Sequence, residues 1–405
     1  MDIKEKLDIL SKLISFPSVN DHEKQVAIYL QKLLQEHNIS SQILPLEGDR
    51  ANLVAEIGSG KPVLALSGHM DVVDVQRDNW QTDPFKLTSV DDKLYGRGST
   101  DMKSGLAAMV IALIELQESN FQFPGTIRFL ATSGEEVGQY GAETLQKQGY
   151  MQDVDSLLIG EPSGYIVVYA SKGELDLKIQ SFGKAAHSSM PALGNNAVEH
   201  LLRVLNQIES QLSDLMTTAE NDVLGKTLFN IDVIKGGQQP NAIPGYAEAV
   251  LNIRTIPELA NQKILDTIQN VIEHYNATTT GQINLVCDMN IIPILGNKDA
   301  KLIKLIQKIA QPYLQKQNYS AEEIEQLEKQ AQLSGIPFSA DEILTVGVSG
   351  GTDASKFLID QPQGFNYVVF GPGNGNAHQD NEFVSQTMYL DFIDIYQQII
   401  KEYFK

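Results

Sequence analysis

Apolar positions Leu7, Leu10 and Ile14 recur at helical spacing among charged residues and predict a surface helix over 3–15, with a second amphipathic helix over 21–37. Short apolar runs at 51–57 and 62–67 then read as strands. Beyond them the two periods alternate: a helix over 104–118, a strand over 126–132, a short helix over 143–149 and a buried strand over 156–159. Such alternation predicts α/β layering around a mostly parallel central sheet, with the first stretch closing near residue 172.

From Glu174 the order changes. A strand (174–182), a helix (195–212), two strands around Gly236-Gly237 and Pro240 to Pro244, a helix (261–275) and a strand (282–288) come in turn. The order β-α-β-β-α-β is that of a ferredoxin-like α+β unit, whose two ends lie at one edge, so it can be inserted as a lid. After Pro293 the first pattern resumes with a helix over 298–316, strands near 343–347 and 366–370, and a last helix over 386–404. Met388, Phe392, Ile395 and Ile399 form an apolar stripe on that helix, as core packing requires. The polar stretch 317–341, with Glu322, Glu323, Glu325 and Glu328, reads as a solvated helical excursion. The expected division is a discontinuous domain, 1–173 with 291–405, and an inserted domain, 174–290.

A chain of 405 residues exceeds what one core usually serves, which agrees with two domains. No apolar stretch approaches the roughly 20 residues that span a bilayer. The charged first helix is unlike a signal peptide, so a cytoplasmic protein without a membrane segment is expected. Cys287 is the single cysteine, which excludes an internal disulfide and a cysteine-ligated zinc finger. With 31 basic and 51 acidic side chains the net charge is −20, which argues against nucleic acid as a partner. The same charge makes any basic residue near a site informative.

Five potential metal ligands stand just beyond predicted strands or in a Gly-rich loop: His69, Asp101, Glu136 beside Glu135, Glu161 and His378. In open α/β sheets the carboxyl ends of strands form the crevice where ligands bind. Carboxylates converging there repel one another and resist desolvation unless cations neutralise them. Nitrogen and oxygen donors suit zinc, one carboxylate can bridge two ions, and Glu135 is left free to move a proton. His22, His37, His200 and His274 fall in amphipathic helices as surface or packing residues, whereas His187 shares a loop context with His69 and His378.

The stretches Ser67-Gly68-His69-Met70-Asp71, Gly96-Arg97-Gly98-Ser99-Thr100-Asp101, Ser133-Gly134-Glu135-Glu136, Gly160-Glu161-Pro162, Ala186-His187-Ser188, Gly350-Gly351-Thr352-Asp353 and His378 resemble, in order, the M20 metallopeptidase and deacylase family. The resemblance implies a zinc-hydrolase-like catalytic domain with a lid, and two zinc ions per subunit, replaceable by cobalt or manganese. His69, Asp101 and Glu161 would hold one ion and Asp101, Glu136 and His378 the other, with Asp101 bridging. It further implies Glu135 as general base, Asp71 as the residue orienting the His69 ring, and a homodimer formed through the lid. His187 would then stabilise the oxyanion in the partner's site. Asn241, Arg254, Gly351 and Thr352 match substrate contacts, Arg254 suiting a carboxylate unless it is a surface salt bridge. Lys172 and Lys184 could also offset the local charge.

Glu at 161 and the short lid favour the acylase side of the family. The reaction this implies is removal of an N-acyl group from an amino acid, with N-succinyl-diaminopimelate the first choice of substrate. Acetylornithine, another N-acyl amino acid or a carboxypeptidase substrate are the alternatives. Two rival readings exist. Gly347-Val348-Ser349-Gly350-Gly351 fits a serine-hydrolase elbow with Ser349 as nucleophile, His378, and Asp353, Asp360 or Asp380, but leaves the acidic cluster idle. A non-catalytic metal-binding protein would not need the free Glu135. Gly96-Arg97-Gly98 begins like a dinucleotide fingerprint, yet Asp101 takes its third glycine position.

Overall fold

The computed structural model describes residues 1–317 and 319–405, without the side chains of residues 323, 330 and 334. The chain forms two compact units, one of residues 1–169, 295–347 and 352–405, the other of residues 170–294 and 348–351.

The first unit is built on a large sheet in which Ser41–Pro45, Ala51–Ser59, Gly125–Thr132, Val63–His69, Ser156–Pro162, Tyr367–Gly371 and Val167–Ser171 lie side by side in that order. The four strands from Gly125–Thr132 to Tyr367–Gly371 run parallel, and antiparallel strands flank them on both sides. The parallel strands are buried on both faces, which is why their sequences are apolar runs and not alternations. The helix Lys103–Glu118 is buried nearly all round, between the sheet and the last helix, Gln386–Tyr403. On that last helix the buried positions are Tyr389, Phe392, Ile393, Ile395, Tyr396, Ile399, Ile400 and Tyr403, a wider face than the expected stripe, with Met388 half-buried. A small sheet absent from the sequence expectation joins Thr88–Val90, Lys93–Tyr95 and Phe383–Ser385. The acidic excursion contains the helix Ala321–Ser334; its Glu323 side chain lies outside the described residues.

In the second unit, Leu228–Gly236, Tyr246–Thr255, Gly173–Phe182 and Gln282–Ile291 form an antiparallel sheet in that order. Strict alternation of buried positions with half-buried or exposed ones along Gly173–Phe182 shows one face turned inward, and the helices Ala197–Thr218 and Asn261–Thr278 bring their apolar stripes to this sheet. The order of elements is the ferredoxin-like one. The segment 240–244 supplies only the two-residue strand Ala242–Ile243, since Pro240 and Pro244 have no N–H to give a ladder.

Among the described residues no helix is long and apolar enough to cross a membrane.

Candidate metal centre

Strand register assembles the centre. His69 pairs with Thr132, and Ser67 pairs with Ile159, all in parallel ladders. His69, the turn 133–136 and Glu161 therefore leave the sheet at one edge. His378 comes after the neighbouring strand Tyr367–Gly371 and holds a left-handed backbone at φ 64°, a strained conformation that concentrates at functional sites. Asp101 stands two residues ahead of the buried helix, just before its N-cap Met102. That helix lies close because Gly105 has no side chain: a Cβ there would stand 2.1 Å from the carbonyl oxygen of Gly160.

His69 Nε2 lies 3.0 Å from one oxygen of Asp101 and 3.5 Å from Glu161. His378 Nε2 lies 3.2 Å from the other oxygen of Asp101 and 3.0 Å from Glu136. Two ligand groups result, His69 with Asp101 and Glu161, and Asp101 with Glu136 and His378; within each, the donor atoms lie within 4.8 Å of one another. Asp101 belongs to both and offers one oxygen to each.

Charge at the centre is out of balance. Burial pushes the Glu161 carboxyl up to about 8. Burial, and after it the charge of Glu161, raises that of Glu135 well above the ordinary range. Contact with Asp101 and then Glu136 lifts the His378 imidazole to about 10. His69 is raised as well, burial being outweighed by Glu161, Asp101 and Asp71. The Asp101 carboxyl shifts the other way: burial would raise it, but the hydrogen bonds of His378 and His69 outweigh burial and lower it. Imidazole nitrogens and carboxylate oxygens in two groups with a shared bridge are a donor set that fits a pair of divalent ions.

Asp71 is fully buried. The nearer partner of His69 Nδ1 is the main-chain oxygen of Asp71 at 3.0 Å, the carboxylate lying 3.6 Å away. That carboxylate accepts the backbone N–H of Glu135 at 3.2 Å and of Glu136 at 3.0 Å. Glu135 belongs to neither ligand group, and Gln139 Nε2 stands 3.4 Å from its carboxylate. An open cleft of about 550 Å³ beside His378 is lined by Asp74, Gln76, Arg97, Gln379 and Asp380.

Sequence reasoning passed over two buried groups: Glu23, which accepts the N–H of Gly134 at 3.1 Å, and Glu382, which lies beneath the Asp101 loop. Asp353, named there within a motif and as a triad candidate, accepts the Thr132 hydroxyl at 2.6 Å. A lone acidic residue far along the chain carries no signal of such a contact.

In the second unit His187 pairs with Ala242 on a two-residue ladder, and the N–H of Ser188 reaches the Asn241 carbonyl at 3.0 Å, so His187 and Asn241 are neighbours. The exposed His187 ring has Ser189 Oγ 2.7 Å from Nδ1. Arg254 stands opposite Glu174 in the ladder, pairs with it at 2.6 Å, and donates to the Ser349 carbonyl at 3.4 Å. Gly351 lies against Ile291, where a Cβ would meet a methyl carbon at 3.0 Å. Lys172 is buried, its amine donating to the Lys226 carbonyl at 2.5 Å, whereas Lys184 is exposed. Thr352, in the first unit, accepts the N–H of Ser355 on its carbonyl at 3.0 Å. The nitrogen His378 would need for a serine triad, Nε2, is engaged by Asp101 and Glu136, and the Asp353 carboxylate by Thr132.

Three comparisons bear on this arrangement. The description Peptidase family M20/M25/M40 fits residues 65–402. A Staphylococcus aureus (strain MRSA252) protein named probable succinyl-diaminopimelate desuccinylase is 41% identical over 426 residues, covering 99% of this chain and 98% of its own. Among solved structures, the M20 family metallo-carboxypeptidase Sso-CP2 from Sulfolobus solfataricus superposes with a TM-score of 0.77 at 20% identity, covering 100% of this chain and 99% of its own. The YXEP protein of Bacillus subtilis, described as a dinuclear metal binding peptidase from the same family, gives 0.65 at 17% identity, covering 99% and 98%. At these identities the structures speak for the fold alone.

Proposed function

The chain belongs to peptidase family M20/M25/M40, and on that premise we propose that it is a two-zinc amide hydrolase that removes the succinyl group from N-succinyl-diaminopimelate. The protein is a metal-dependent hydrolase of amide bonds, as its family and its full-length relatives named for desuccinylation require. The observation that carries the reading is the double use of Asp101, one oxygen toward each histidine, with Glu135 free beside it.

His69, Asp101 and Glu161 would hold one ion and Asp101, Glu136 and His378 the other. When bound, such a pair polarises the acyl carbonyl and lowers the pKa of a water to about 7. Glu135 accepts a proton on its carboxylate and returns it to the leaving amine. Its burial suits the task, because it raises the carboxyl above the ordinary range, the direction that favours a group which must take up a proton. Asp71 fixes the main chain of Glu135 and Glu136 from beneath. Cobalt or manganese would replace zinc in the same donor set.

The second unit would act as lid and dimer surface. In that role His187 supplies a donor to the oxyanion in the partner's site, Asn241, Gly351 and Thr352 contact substrate, and Arg254 takes a substrate carboxylate in place of part of its bond to Glu174. The protein would work in the cytoplasm as a homodimer on a small substrate.

Zinc-loaded protein assayed against N-succinyl-diaminopimelate, N-acetylornithine and a dipeptide panel tests the reading. The highest kcat/KM belongs to the succinyl substrate, and activity is lost to a chelator but not to a serine-directed phosphonate. Metal-loaded protein that cleaves no N-acyl amino acid overturns the proposal.

A further inference from the structure

Glu382 has no solvent exposure and no part in the reaction proposed above. The strand Phe383–Ser385 pairs with Lys93–Tyr95, Phe383 opposite Tyr95, which lays Glu382 against the loop 96–101. The loop's donors converge on its carboxylate. One oxygen accepts the N–H of Thr100 at 2.7 Å and of Asp101 at 2.9 Å; the other accepts the N–H of Gly98 at 3.1 Å and Arg97 Nη1 at 2.6 Å. Gly98 turns the loop at φ 85° to let these groups face one way. Arg97, only 2% exposed, also stands 3.5 Å from the His378 carbonyl oxygen and 3.4 Å from that of Asp74.

We propose that Glu382 is a positioning residue that sets Asp101 and His378 at their mutual distance and thereby tunes the affinity of the metal pair. The inference rests on the two-metal reading. Asp101 cannot shift its backbone without giving up a bond to a charged acceptor, and His378 belongs to the same short turn as Glu382. His69 and Glu161, by contrast, leave strands already fixed by parallel ladders. Losing Glu382 therefore bears on the group of Asp101, Glu136 and His378 through two residues and on that of His69, Asp101 and Glu161 through one.

Glu382→Gln puts an amide nitrogen in front of two donors and breaks half of the cradle. Metal binding to the apoprotein is measured by competition with a chromophoric chelator, alongside thermal unfolding of the apoprotein. At least one of the two binding steps is expected to weaken by about 10- to 100-fold, with kcat returning at saturating zinc. Glu382→Asp, which keeps the charge but draws it back from the loop, gives a smaller loss in the same step. Unchanged affinities in both variants, or equal losses at both steps together with a collapsed apoprotein melting transition in both, overturn the proposal. Wild-type protein that binds fewer than two ions refutes the two-metal reading instead, so the two failures are distinct.

Discussion

Replacing Asp71 by asparagine separates two ways in which a buried carboxylate can serve the centre. Its oxygens accept the N–H groups of Glu135 and Glu136 at 3.2 and 3.0 Å, while His69 Nδ1 sits on the main-chain oxygen, which the substitution leaves in place. An asparagine keeps the shorter bond, to Glu136, and turns its amide nitrogen toward the N–H of Glu135. One buried donor is then unsatisfied, at about 1–3 kcal/mol. If that energy is lost from the placement of the base in the transition state, kcat falls by about 5- to 150-fold. Steady-state kinetics with metal content measured on the same preparation reads both quantities. The expected outcome is a lowered kcat with two ions retained. A loss of turnover that tracks loss of metal and disappears at saturating zinc would mean that the carboxylate acts through His69, and the reasoning from hydrogen bonds would be refuted.

The same geometry sets three further outcomes. Glu135→Gln lowers kcat by about 10²- to 10⁴-fold with both ions bound; turnover near wild type removes Glu135 as the base. Arg254→Ala raises KM for a succinylated substrate by about 10-fold or more, as loss of a hydrogen bond to a charged group implies, and leaves a neutral acyl amide little affected; equal effects on both exclude a carboxylate contact. Glu23 concerns stability: burial, then the charge of Asp71, pushes its carboxyl from 4.5 up to about 7. The folded state then holds the proton over that window while the unfolded chain releases it, so stability falls as pH rises from 4.5 through 7. Glu23→Gln should gain on the wild type across that range, by up to about 3 kcal/mol, in thermal unfolding measured at pH 5 to 8; an offset independent of pH contradicts the assignment.

How much of this was legible in the sequence depended on whether a contact is local. The parallel strands announced themselves as apolar runs ending in His69, Glu135-Glu136 and Glu161, because a strand buried on both faces admits little else and the ligands come within a few residues. Glu382 was hidden for the opposite reason. The strands Thr88–Val90, Lys93–Tyr95 and Phe383–Ser385 are three residues each, too short for a readable period, and they join distant parts of the chain. Arg254 could be seen as a cation at a strand end, but its partner Glu174 is fixed by ladder register, which no single segment encodes. The expected apolar stripe of the last helix was narrower than the buried face because Tyr389, Tyr396 and Tyr403 turn inward, with the Tyr389 and Tyr396 hydroxyls on the carbonyls of Lys6 and Phe370.

Because Asp101 turns one oxygen toward each candidate ligand group, a cation on one side would alter the donor on the other. A first cation held there would both freeze the carboxylate in place and drain its negative charge, two effects of opposite sign on a second. On the two-metal reading, loading of the centre would be a linked equilibrium, reciprocal by thermodynamic necessity, and a half-filled protein would be a chemical species of its own and not an average of empty and full.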